Sequence, residues 1–74
     1  MTDEEWIREF AAAIGVPVPS RDELDAVLAL AGIAAHASAR TAAPPACWLA
    51  GASGKPLSDL IVAAERIGDQ GPSS

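Results

Sequence analysis

The chemistry-bearing side chains of this sequence crowd into its middle. His36 and Arg40 stand four residues apart, a spacing that sets two side chains on one helix face. A histidine that titrates near neutral pH beside a guanidinium makes a place for an anion or an acidic partner. The structural alternative is that His36 merely closes a helix, whose C-terminal dipole favours a cationic or hydrogen-bonding group. Lys55 adds a third positive group further on. Cys47 is the one cysteine. In the first turn of a helix, exposed N–H groups would favour its thiolate, and with His36 it would form a nucleophilic or redox pair. Its neighbours Ala46 and Trp48 offer no acid to orient a histidine, and lone cysteines are among the most buried residue types. A buried structural thiol is therefore the competing reading.

Other motifs fail on spacing. GASGK, residues 51–55, has glycines and a lysine like a phosphate-binding loop, which needs four residues between the glycines, Ser or Thr after the lysine, and a preceding strand. Here Ala52 and Ser53 alone separate Gly51 from Gly54, and Pro56 follows Lys55. LAGASGK also echoes the glycine-rich loop of sugar-type nucleotidyltransferases, but a helix leads into it and no room remains for a nucleotide-binding sheet. One cysteine and one histidine fall short of the roughly four ligands of a structural zinc site. No cofactor or metal is called for, and the isolated chain reads as a non-enzyme, because a catalytic site needs converging polar groups.

Composition narrows the partners. A chain of 74 residues makes one domain and buries about 60% of the surface its unfolded form exposes. Half of its residues are hydrophobic, many of them alanines that contribute little transfer energy each. A net charge of −5 and a pI near 4.5 argue against nucleic acid, whose binding runs on lysine and arginine neutralising phosphates. The single cysteine excludes an internal disulfide and fits a reducing, cytoplasmic setting. MTDEEW is acidic where a signal peptide needs a basic segment. The longest apolar run, Ala26 to Ala35, falls short of the roughly 18 residues of a membrane span, so a soluble protein is expected.

Elements follow from caps and breakers. Thr2 with Glu5, and Ser20 with Glu23, have capping-box spacing. Trp6, Ile7, Phe10 and Ile14 recur at helical spacing, which predicts a helix over residues 3–14 ended by Gly15. The prolines of VPVP force an extended link. A second helix over about residues 21–40 carries Leu24, Val27, Leu28, Ala31 and Ala35 on one side and Leu30 and Ile33 on the other, so it should be central. Gly32 within it implies close approach of a neighbour. Pro44 and Pro45 suit the start of a short helix from Pro45 to about Ala50, and GASGKP reads as a loop. Pro56 opens a fourth helix, with Leu57, Leu60, Ile61, Ala64 and Ile67 as its stripe and Gly68 as its stop.

The expectation is an all-α compact bundle of about four short helices. It occupies residues 1–68 as a single helical domain, with Trp6, Phe10, Leu28, Trp48 and Leu60 in one core and a flexible tail over 69–74. Seven acids crowd the first third, whereas Ala26 to Ser58 contains none and carries His36, Arg40 and Lys55. That asymmetry makes a basic face for an acidic partner or a phosphate, or else a solvated edge. A helix apolar on more than one side leaves a seam through which a homo-oligomer would form.

The run AAHASARTAAPPACWLAG resembles the signature of a small helical domain family of unknown function, DUF6457. Its members show a histidine, an arginine a turn later, Pro-Ala-Ala-Pro-Leu, an aromatic, a leucine and a glycine. His36, Arg40, Ala42, Ala43, Pro44, Trp48, Leu49 and Gly51 fit that order, while Thr41 and Pro45 depart from it. Trp6 and GVPVP are similar to the family's opening, and the likeness spans most of residues 4–67. The resemblance implies an accessory or protein-interaction domain, found alone or appended to molybdenum cofactor guanylyltransferases. Its partner would be such an enzyme or a molybdoenzyme. The alternatives are a small thiol-dependent redox protein using Cys47 and His36, and a purely structural helical protein with no ligand.

Overall fold

A computed structural model describes residues 1–70, with side-chain surroundings through Ile67. The chain is an all-α bundle: α1 (Asp3–Ile14), α2 (Arg21–Ala37), a 3₁₀ turn at Arg40–Ala42, α3 (Ala43–Ser53) and α4 (Leu57–Gln70). No strand occurs among the described residues.

The first two helices begin at the capping boxes. The Glu5 N–H donates to Thr2 Oγ1 at 3.1 Å, and the Thr2 N–H donates to Glu5 Oε1 at 2.7 Å. Ser20 and Glu23 repeat this pair at 3.1 and 2.7 Å. Each box satisfies two first-turn donors that the helix itself cannot. At the other end of α1, Gly15 takes the left-handed conformation at φ 75°. The N–H groups of Gly15 and Val16 then turn back to the carbonyls of Ala12 and Ala11, the double return that glycine makes cheap.

Later boundaries differ from the sequence expectation. α2 stops at Ala37 rather than at 40, because Ser38 leaves helical geometry at φ −136°, ψ −92°. Alanine and arginine would have continued the helix on propensity alone. The chain turns where the 3₁₀ turn and α3 can fold back onto α2. α3 is longer than expected, with Pro44 and Pro45 inside its first turn and Gly51 within it; its stop is Gly54 at φ 69°. α4 begins at Leu57, and the Pro56 carbonyl accepts the N–H groups of Asp59 and Leu60. It runs through Gly68 to Gln70, since a glycine in right-handed geometry weakens a helix without ending it. Of the tail expected over 69–74, the first two residues are thus helical, and 71–74 lie outside the described residues.

α2 is the central element, as its all-round apolarity requires: α3, α4 and the 3₁₀ turn all pack on it. α1 stands off from the other helices, and the molecule measures 44 × 24 × 18 Å. The expected aromatic core is corrected by this arrangement. Ala11 and Leu30 are the buried hydrophobic residues, while Trp6, Phe10, Leu28 and Trp48 are exposed and Leu60 is half-buried. Periodicity marks which residues form a stripe, but a stripe is buried only if another element covers it. The close approach expected at Gly32 is also absent, for a Cβ built there would meet nothing within 4 Å. No described helix is long and apolar enough to cross a membrane.

Candidate functional site

The stand-off of α1 opens a groove of about 630 Å³ between it and the other three helices. One wall is the inner stripe of α1, Ile7, Phe10, Ala11 and Ile14, continued by Val16 to Pro19 of the link. The floor and far wall are Val27 and Leu30 of α2, Cys47, Ala50, Gly51 and Gly54 of α3 and its exit, and Leu57 of α4. Trp6 stacks on Phe10 with ring centroids 5.0 Å apart, an i,i+4 pair that stiffens the α1 side. Ile14, Val16 and Val18 are each about half exposed, so apolar surface lies open along the rim.

Little charge lines the groove. Glu23 and Lys55 line the groove, and the Glu23 carboxylate is engaged in accepting the Ser20 N–H. The Thr2 N–H, and after it the Thr2 hydroxyl, hold the Glu5 carboxyl below its ordinary value of 4.5. Arg21 reaches Glu4 of α1 at 3.9 Å and Asp25 of its own helix at 3.4 Å. These exposed pairs contribute little, each roughly 0–1 kcal/mol, and the one residue that α1 buries is Ala11.

The residues singled out in the sequence divide between two places. His36 is exposed in the last turn of α2 and Arg40 is exposed at the start of the 3₁₀ turn. The break at Ser38 removes the shared helix face that their spacing predicts. Lys55 lies at the groove with Glu23 and Val27. Neither His36 nor Arg40 lines that groove. Cys47 is half-buried in the groove wall beyond the first turn of α3, which removes the reason to expect a helix-end thiolate. Among the described residues no hydrogen bond joins it to His36, and no three His, Cys, Asp or Glu side chains gather as metal ligands.

Sequence reasoning missed the groove residues of the link and of the α4 start. A signal for them was present in VPVP, where two valines are fixed by prolines in a segment that cannot bury both. The arrangement as a whole can receive an apolar segment, and it offers few polar groups with which to orient a reacting one. A family model described as "Domain of unknown function (DUF6457)" matches residues 2–69. No curated protein and no solved structure matches the chain.

Proposed function

The chain belongs to the DUF6457 family, and from that premise we propose that it is a non-catalytic accessory domain that binds a protein partner. The open apolar groove between α1 and the rest of the bundle carries this reading. A partner segment with apolar side chains at helical spacing would lay its face along Ile7, Phe10 and Ile14 and cover Val27 and Leu57, in the helix-in-groove mode. The exposed His36 and Arg40 at the far end of α2 offer an acidic partner surface or a phosphate a second, charged contact, and Lys55 offers one at the groove itself. The partner we propose is a molybdenum cofactor guanylyltransferase or a molybdoenzyme that receives its product. Support for that choice is the family resemblance alone.

The test is capture from native cytoplasm, comparing the unmodified chain with Ile14→Glu in the groove and Arg40→Glu outside it. Recovery of a cofactor-pathway protein, abolished by Ile14→Glu and weakened by Arg40→Glu, is the expected result. Recovery unchanged by Ile14→Glu removes the groove from the reading, and recovery of no such protein removes the pathway. The rival thiol enzyme requires an activated cysteine. The half-buried, apolar setting of Cys47 argues against it, and a thiol pKa well under the ordinary ~8.5 by alkylation rate would reinstate it.

A further inference from the structure

The two helical walls of the groove complement each other in size and in repeat. α1 presents Ile7, Phe10 and Ile14, large side chains at i, i+3 and i+7 on one face. Opposite them, α3 and its exit present Cys47, Ala50, Gly51 and Gly54, small residues at i, i+3, i+4 and i+7. A Cβ built on Gly51 would meet nothing within 4 Å, so that wall has room for a side chain from the other. Packed helices set the ridges of one into the grooves of its neighbour, and protein interiors leave few voids wider than a water molecule. Here a large row and a small row of matching repeat stand apart across about 630 Å³.

We propose that α1 is a flap: it closes onto α3, seating Phe10 and Ile14 over Ala50, Gly51 and Gly54, and the open and closed arrangements exchange in the free chain. Little resists the movement. Ala11 is the one residue that α1 buries, and its ion contact to another helix is the exposed Glu4–Arg21 pair at 3.9 Å. Among the described residues no hydrogen bond ties α1 to α2, α3 or α4, and residues 15–20, none of them helical, join it to α2. What favours closure is removal from water of Phe10 and Ile14, each about half exposed while the groove is open. Neither row carries a charge, so the acids of α1 do not oppose it. Both rows belong to one chain, and the short link keeps α1 at high effective concentration beside the groove, so no second molecule is needed. A partner segment would then have to displace α1, which makes the flap a brake on binding. That consequence rests on the groove being the partner's site, whereas closure itself does not.

The test uses the full 74-residue chain without a partner, so its failure is distinct from failure of the capture experiment. Cys47 is the chain's one cysteine and stands in the small wall, and two cysteines bridge only when their Cα atoms come within about 7 Å. Ile14→Cys, incubated dilute with oxidised glutathione, is expected to form an intramolecular disulfide to Cys47, read by non-reducing electrophoresis and mass. Ala13→Cys, exposed on the outer side of the same turn, should form it at least about 10-fold more slowly, because a directed closure presents one face of α1. Adding Gly51→Leu to Ile14→Cys fills the small wall and should slow trapping by a similar factor of about 10, with helix content by circular dichroism unchanged. No intramolecular bridge from Ile14→Cys, equal bridging from Ala13→Cys, or no effect of Gly51→Leu would each overturn the proposal. Should Ile14→Cys lose helix content, the unmodified chain decides: Phe10 is its one phenylalanine, and nuclear Overhauser contacts from that ring to the Ala50 methyl are expected, their absence overturning closure.

Discussion

α1 and α3 are nearly equal in length, 12 and 11 residues, and are held in opposite ways. α1 is specified locally at both ends: a capping box and three acids in its first turn, and the Gly15 return at its last. It has one clean apolar stripe, yet it stands off from the bundle and leaves much of that stripe open. α3 has no side-chain cap at its start, no charge and no stripe, and it is packed on α2 and the 3₁₀ turn. Local capping therefore says that a helix forms, and it carries no information on whether the helix will be covered. The strongly coded helix is the loosely attached one, and the weakly coded helix exists because tertiary contact holds it.

The comparison breaks most severely at Leu30, which lies 5% exposed on α2 and also floors the groove. Leu30→Ala is expected to cost about 2–5 kcal/mol, a large share of the roughly 4–11 kcal/mol available to a domain of this size. Chemical denaturation followed by circular dichroism checks it. α3, which depends on α2, should lose structure with it, while residual helix from α1 persists. Equal loss of both helices would show that α1 is not independently coded.

A smaller effect sharpens the contrast, since the same chemistry can be removed from a coupled helix and from a detached one. Ser20→Ala and Thr2→Ala each remove a cap worth about 1 kcal/mol of helix stability. Ser20→Ala should appear in the global unfolding midpoint. Thr2→Ala should appear chiefly as faster amide exchange within α1, with little change in that midpoint. Acid opens the Thr2–Glu5 box without a mutation. Because the folded-state pKa of Glu5 is lowered, its contribution is present above the ordinary 4.5 and is lost as pH falls through the lowered value. Fraying of α1 below pH 4.5 that is muted in Glu5→Gln is the expected result.

The smallest effect tests how α1 is tethered. Arg21→Ala removes exposed contacts to Glu4 and Asp25 and should change stability by less than about 1 kcal/mol, an amount that falls further in high salt. A larger loss would mean that ion pairing, rather than apolar contact at Ile7 and Ala11, anchors α1.

The amino-acid sequence by itself determined the class of this molecule and most of its punctuation. The two capping boxes, the Gly15 stop and the apolar periodicity of α1, α2 and α4 are interactions and patterns between residues a few positions apart, which any chain with this sequence would carry. The glycine-rich segment and the His36–Arg40 spacing were legible as motifs but not as geometry. Whether Ser38 ends a helix and whether Gly54 rather than Gly51 closes the next depend on where α3 comes to rest on α2. Only the tertiary structure decided which stripes are covered. Trp6, Phe10 and Trp48 carry the sequence signature of a core, and burial is a property of pairs of surfaces, not of one. With α1 held off and α3 facing outward, the largest side chains lie on the surface. The groove, on which the proposed function rests, exists because the apolar stripe of α1 is only partly covered by the other described elements.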